Sequence, residues 1–188
     1  MIKKIKDYKT RDWITIAVVA AVIGVFFTFM DSMYSVLSNL LGPTFMALTF
    51  GVYAMSALLP AYLVRKPGAA FIGSLFAAVI NILTGSPYGI HIVVAGLLQG
   101  LGAEVGFGIT KYEKYSILNF GIASLFVTLF VSLRDYFVFS LGQLTTPLLI
   151  ATLALRIASI VVIGYLFCLV IGTALNKTGL VKFNKTTA

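Results

Sequence analysis

Charge is what this sequence has least of: only 11% of its 188 residues are Asp, Glu, Lys or Arg, and just 6 of them are acidic. With 60% hydrophobic residues and a mean hydropathy of +1.02, the chain lies outside the range of soluble globular domains and reads as an integral membrane protein. No polar stretch is long enough for a soluble domain, so residues 1-188 are expected to form a single transmembrane domain. The single cysteine excludes a disulfide within the monomer; Cys168 stands in an apolar run from Gly164 to Ile171, where a small buried hydrophobe is expected rather than a nucleophile. His91 is the single histidine, and no second histidine or cysteine is placed to join it in a metal site. A phosphate-binding P-loop, a nucleophile elbow and an HExxH zinc motif are all missing, which leaves ATP hydrolysis by that route and enzymatic activity in general unsupported.

What is present is cationic, with a formal net charge of +8. Such a balance can signal nucleic acid, but the placement of the basic residues follows the rule for short cytoplasmic loops instead, and no nucleic-acid partner is expected. Lys3, Lys4, Lys6, Lys9 and Arg11 precede the interfacial Trp13 and an apolar run from Ile14 to Met30. That run exceeds the h-region of a signal peptide, roughly 7–15 residues, and more apolar segments follow it, so it reads as a first transmembrane helix with its basic end in the cytoplasm. Six helices are expected over approximately 13-31, 44-64, 67-84, 88-110, 115-134 and 147-175, each near the roughly 20 residues a bilayer requires. Asp31 to Gly42 reads as an outside loop, Thr84 to Gly89 as an outside turn, and Arg65-Lys66-Pro67-Gly68 as a basic inside turn, with Pro60 bending the turn before it. Of the 14 Lys and Arg residues, all but Arg134 and Arg156 then fall on the inside, giving an all-α, multi-pass bundle in the cell membrane with both termini cytoplasmic (N-in and C-in).

The candidate chemistry centres on Gln99-Gly100-Leu101-Gly102-Ala103-Glu104, a polar, glycine-rich stretch inside the fourth helix. A carboxylate near mid-bilayer costs on the order of 2.5–3.5 kcal/mol on insertion scales, so Glu104 needs a partner, a water-filled cavity or a ligand. Gly96, Gly100, Glu104 and Gly108 share one helical face, which aims Glu104 at a neighbouring helix, while Gln99 lies about 140° away on the side of His91 and Ala95. By helical rise, Arg156 lies roughly 14 Å from the outer end, Gln99 about 16 Å and Glu104 about 24 Å. Two readings follow. Glu104 and Arg156 form a buried ion pair that fixes helix register, or they belong to a polar pocket open to the outside together with Asn81, Tyr88, His91 and Gln99. Tyr34 and Tyr136 are interface-belt aromatics that can also stack on a flat or cationic ligand. On the first helix Ala17, Ala21 and the Ala20–Gly24 pair make small-residue faces suited either to internal packing or to an external partner helix.

Three stretches carry a family resemblance: Arg65-Lys66-Pro67-Gly68-Ala69-Ala70, Gln99-Gly100-Leu101-Gly102-Ala103-Glu104-Val105, and Arg156 within the sixth helix. With these, the chain resembles the substrate-binding S components of energy-coupling factor (ECF) vitamin transporters, in particular the YkoE-like thiamine or hydroxymethylpyrimidine (HMP) group. The resemblance implies a six-helix subunit of an ABC transporter that captures thiamine or its HMP precursor from outside. It also implies an EcfT-type transmembrane coupling subunit and two EcfA-type ATPase subunits or domains as partners, besides the lipid bilayer. An Ala-x-x-x-Ala pattern on the first helix contacts the coupling subunit in such proteins, and Ala17 and Ala21 match it, with Gly24 one turn on. No covalently bound cofactor is implied; the vitamin is the transported ligand. Substrate contacts are expected from Asn81, Tyr88, His91, Gln99, Glu104, Arg156, Tyr34 and Tyr136, with Asn81, Tyr88 and Gln99 ahead of the deeper Glu104. Alternatives are a stand-alone proton-coupled small-molecule transporter using Glu104, an S component for another vitamin, or an assembly subunit in which Glu104–Arg156 is internal glue.

Overall fold

The computed structural model describes residues 7–112, 114–139 and 141–179, and among these every regular element is helical. The chain forms α1 (Thr10–Leu41), α2 (Pro43–Met46), α3 (Phe50–Tyr53), α4 (Met55–Val64), α5 (Ala69–Leu83), α6 (Ile90–Ile109), α7 (Ile117–Val138), α8 (Thr146–Ser159) and α9 (Tyr165–Lys177). A 3-10 turn, Ala47–Thr49, joins α2 to α3, and a π-helical stretch, Ile160–Gly164, makes α8 and α9 one continuous rod. By length and composition 5 helical spans can cross a membrane, and Ala69–Leu83 is a shorter apolar helix packed among them. Large apolar side chains such as Val22, Phe29, Leu118, Leu129 and Val170 face outward, as lipid-solvated surface requires.

Two features depart from the sequence expectation. The stretch from Asp31 to Gly42, expected as an outside loop, continues α1; it contains no glycine or proline before Gly42, whose φ of 78° ends the helix. The second segment is not one regular α-helix: a 3-10 turn at Ala47–Thr49 and a turn at Ala54 interrupt its α-helical geometry on either side of Gly51, while the backbone stays right-handed helical from Met46 to Val64. There the Gly51 amide donates to Ser159 Oγ at 2.8 Å, and Ser159 Oγ donates in turn to the Leu48 carbonyl, so an interruption in one rod lies against the π-stretch of the other. A Cβ at Gly51 would run into the Ser159 backbone, so this approach is open only to glycine.

Small residues fix the remaining packing. A Cβ on Gly24 would stand 2.6 Å from the Ala77 carbonyl oxygen, so α1 rests directly on α5. Gly96 and Gly100 bring α6 onto α5, whereas Gly102 and Gly106 bring its other face onto α7. Cys168 is fully buried, as a small hydrophobe, among the apolar residues of the core.

The basic end of the bundle is tied by short polar links. Tyr8 donates to the Pro67 carbonyl (2.8 Å), Lys66 pairs with Asp12 (2.5 Å), and the Arg65 guanidinium lies over the Tyr115 ring at 5.2 Å. Lys3, Lys4, Lys6, Glu113, Lys182 and Lys185 lie outside the described residues. Glu104 is the centre of this end: its Oε1 accepts from the Ala70 and Phe71 amides (2.7 and 3.2 Å), and its Oε2 accepts from the Tyr112 hydroxyl at 2.6 Å. A carboxylate at the unsatisfied N–H groups of a helix start is favoured by both hydrogen bonding and the helix dipole. Tyr8 is pushed up to about 12 by burial first, then by the charges of Glu104 and Asp12.

Candidate functional site

At the opposite end, the C-terminal part of α1, the stretch from Met46 to Tyr53, the start of α6, the end of α7 and the start of α8 line a cavity of about 610 Å³. That size suits a small organic ligand. The continuation of α1 past Asp31 brings Tyr34 and Ser38 into the wall, and α3 contributes Phe50 and Tyr53. Tyr34 stands edge-on to both Tyr53 and Tyr88, with ring centroids 6.3 Å apart in each case, and Tyr88 and His91 both pack against Phe139.

Two charged groupings line this cavity. In the first, Asp31, 2% exposed, accepts three hydrogen bonds from neutral donors: Tyr53 hydroxyl at 2.9 Å, Asn81 Nδ2 at 2.9 Å and Ser86 Oγ at 2.7 Å. Asn81 presents its N–H to Asp31 because its own Oδ1 is engaged by the Thr28 hydroxyl at 2.7 Å. The Tyr88 phenol, in the turn between α5 and α6, is held above its ordinary pKa by burial first and then by the Asp31 charge. In the second grouping Asp135 lies between two guanidiniums. Arg156 pairs with it at 2.8 Å and donates to Ser132 Oγ at 2.7 Å; Arg134 donates through Nε at 2.9 Å and through Nη2, and also to the His91 carbonyl at 2.9 Å. The Arg156 guanidinium also lies 4.4 Å over the Phe50 ring. Gln99, 7% exposed, lines both the cavity and a small annex of about 40 Å³, and its buried Nε2 has no hydrogen-bond partner. Arg156 Nε is likewise unpartnered.

Of the candidates named from sequence, Tyr34, Tyr88, His91, Gln99 and Arg156 all line the cavity. Asn81 lines the annex instead, fully buried behind Asp31. Tyr136 is not in the wall: it lies on an exposed face of α7, with its ring beside Gly142. Glu104 is not there either, and the Glu104–Arg156 pair does not exist. Arg156 is held by Asp135, and Glu104 by the start of α5 and by Tyr112; their unequal depths along their helices keep them apart. On α1 the small residues divide. Ala17 is exposed and Ala21 partly so, but Ala20 and Gly24 are buried, so Gly24 packs inside the bundle rather than offering an external face.

Asp31, Tyr53, Phe50, Asp135 and Phe139 were not among the candidates. The sequence pattern reads Asp31 as the start of a loop, where the rule that an intramembrane carboxylate needs a partner or a function does not apply; the continuation of α1 to Leu41 brings Asp31 under that rule.

Three comparisons with known proteins bear on this arrangement. The family described as "ABC-type cobalt transport system, permease component" matches residues 11–130. The chain is 32% identical over 152 residues to YkoE of Bacillus subtilis (strain 168), named as an HMP/thiamine permease protein, spanning 77% of this chain and 75% of that one. It also superimposes on a solved structure described as an S-component of an ECF transporter with a TM-score of 0.87 and 27% identity, covering 92% of this chain and 88% of the other.

Proposed function

This chain belongs to the S components of ECF transporters, in the YkoE-like group, and from that premise we propose that it captures thiamine or its HMP precursor in the aromatic cavity for ATP-driven uptake by partner subunits. It is a transport subunit and not an enzyme. The observation that carries the ligand reading is the cavity itself: flat aromatic walls from Tyr34, Phe50, Tyr53, Tyr88 and Phe139, with an unpartnered amide donor on Gln99 and an acceptor on Asp31. A heteroaromatic ring with ring-nitrogen acceptors and an amino group matches that inventory. A metal ion does not, because among the described residues no three His, Cys, Asp or Glu side chains are grouped to hold one. The vitamin is cargo, and no covalently bound cofactor takes part.

The cavity opens to the outside in this reading. The support is the basic end: Lys9, Arg11, Arg65, Lys66, Lys111, Lys114 and Lys177 all lie at the other end of the helices, which the positive-inside rule assigns to the cytoplasm together with both termini. Ala17 and Ala21 then form the face for an EcfT-type coupling subunit, whose EcfA-type ATPases supply the energy; the exposed stripe on α1 supports it. The alternative of a proton-coupled transporter loses its main support, since Glu104 is committed to the start of α5 and lines neither cavity.

Calorimetric or thermal-shift titration of the purified protein with thiamine, HMP, riboflavin and biotin tests the reading. A ligand bound only by the folded state stabilises it by about 2.7 kcal/mol at a hundredfold excess over Kd. Stabilisation by thiamine or HMP alone is expected, and no response to any of the four overturns vitamin capture.

A further inference from the structure

From Ile14 to Leu40, α1 carries an exposed large hydrophobic residue at every third or fourth position, Val22, Phe29, Met33 and Val36 among them. At 100° per residue that spacing holds them in one stripe about 100° wide along the whole helix. Asp31, the one charged residue in this range, is turned inward and buried. The stripe is about 39 Å long by helical rise, against roughly 30 Å of bilayer hydrocarbon. On α6 the exposed Ile90 and Ile109, and on α7 the exposed Leu118 and Phe137, are each about 29 Å apart by the same rise, so those helices match a bilayer and α1 exceeds it.

The surplus is at the cavity end. Lys66, in the turn before α5, pairs with Asp12 in the first turn of α1, so the two helices start level. The Thr28 hydroxyl bonds to the Thr84 hydroxyl where α5 ends, and α1 then runs on to Leu41, about 20 Å further. The non-helical turn from Thr84 to Gly89 has exposed backbone and belongs at the headgroups. Tyr34 already meets Tyr88 of that turn, so Val36 and Leu40 reach past it. Exposed Ser32 and Asn39 flank the stripe here, the mixed character of an interfacial rather than a hydrocarbon setting.

We infer that the Met33, Val36 and Leu40 face of α1 is a lipid-binding surface, laid by helix tilt against the interface of the leaflet at the cavity end and covered there by phospholipid acyl chains. Its continuity with the lipid-facing stripe below, without an intervening charge, is what names lipid as the occupant. A tilt of about 40° would draw the full 39 Å into the hydrocarbon, and a smaller one leaves the last turns at the interface. Ala17 and Ala21 lie on a different part of the circumference, so lipid here does not compete with a partner on that face. Tyr34 and Ser38 project from the opposite side of the same turns into the cavity wall. Lipid therefore backs one wall of the cavity.

The test is fluorescence quenching of the full chain in phosphatidylcholine nanodiscs. Trp13 is the single tryptophan, so Trp13→Phe gives a silent background into which Leu40→Trp, or Val22→Trp as a mid-membrane reference, is introduced. Two quenchers are compared: phosphatidylcholine brominated on its acyl chains, and iodide in the water on both sides of the disc. Bromolipid is expected to quench the Leu40→Trp variant at least about half as strongly as the Val22→Trp variant, and iodide to quench it less than about a third as strongly as free tryptophan amide. Iodide quenching close to that of the free amide, with no response to bromolipid, overturns the inference, because the face then stands in water and is left for a partner protein. Should Leu40→Trp fail to fold, Val36→Trp on the same face gives the same reading. No ligand is added, so the outcome is independent of vitamin capture.

Discussion

Glu104 and Asp31 are both carboxylates in the helical bundle, each accepting three hydrogen bonds, yet one end of the molecule is closed around its acid and the other is open. Glu104 takes two donors from the backbone start of α5 and one from Tyr112, and it lines neither the cavity nor its annex. Asp31 takes all three from side chains, and one side of it borders the cavity. The difference teaches that burial of a charge in a membrane segment does not by itself mark a ligand site. A helix start supplies fixed donors and a favourable dipole, so a carboxylate there is a structural fastening. Side-chain donors around a cavity leave room for a further partner.

Three substitutions break or sharpen this contrast. The largest effect is expected from Asp135→Asn, which strands the Arg156 and Arg134 guanidiniums at the cavity end; a loss of about 3–5 kcal/mol of stability is expected, read as a large drop in thermal midpoint, together with loss of ligand binding. Next comes Glu104→Ala at the basic end. It leaves two backbone amides and the Tyr112 hydroxyl without their acceptor, for a cost of about 2–3 kcal/mol, while the protein that remains folded binds ligand as before. The smallest effect on the fold is expected from Gln99→Ala, which removes a buried donor that has no partner; stability should change by less than about 1 kcal/mol, whereas ligand affinity should fall about tenfold. Equilibrium unfolding paired with titration of each variant separates the two ends.

Much of the architecture was legible in the amino-acid pattern because a bilayer imposes strong rules. Apolar length and basic turns located the spans, and the spacing of Gly96, Gly100 and Glu104 correctly aimed that face at another helix, which proved to be α5. Helical rise placed Gln99 and Arg156 at matching depth, and both do line the cavity. The pairings were not legible. Arg156 stands at the depth of Asp135 on α7, but Asp135 lies one residue past the expected end of that helix at residue 134, so the sequence pattern offers no sign of the pair. The 3-10 turn before Gly51 and the π-stretch after Ser159 lie where two rods approach each other, a tertiary feature with no local signal. The missed extension of α1 had the widest effect, since it hid Asp31.

The central claim is that ligand chemistry resides at the Asp31 and Gln99 end and fold fastening at the Glu104 end. Thiamine affinity measured by calorimetry for Gln99→Ala and Glu104→Ala, each against the wild type, tests it most directly. The account predicts about a tenfold loss for Gln99→Ala and unchanged affinity for folded Glu104→Ala. Loss of binding in Glu104→Ala with full affinity in Gln99→Ala would contradict it.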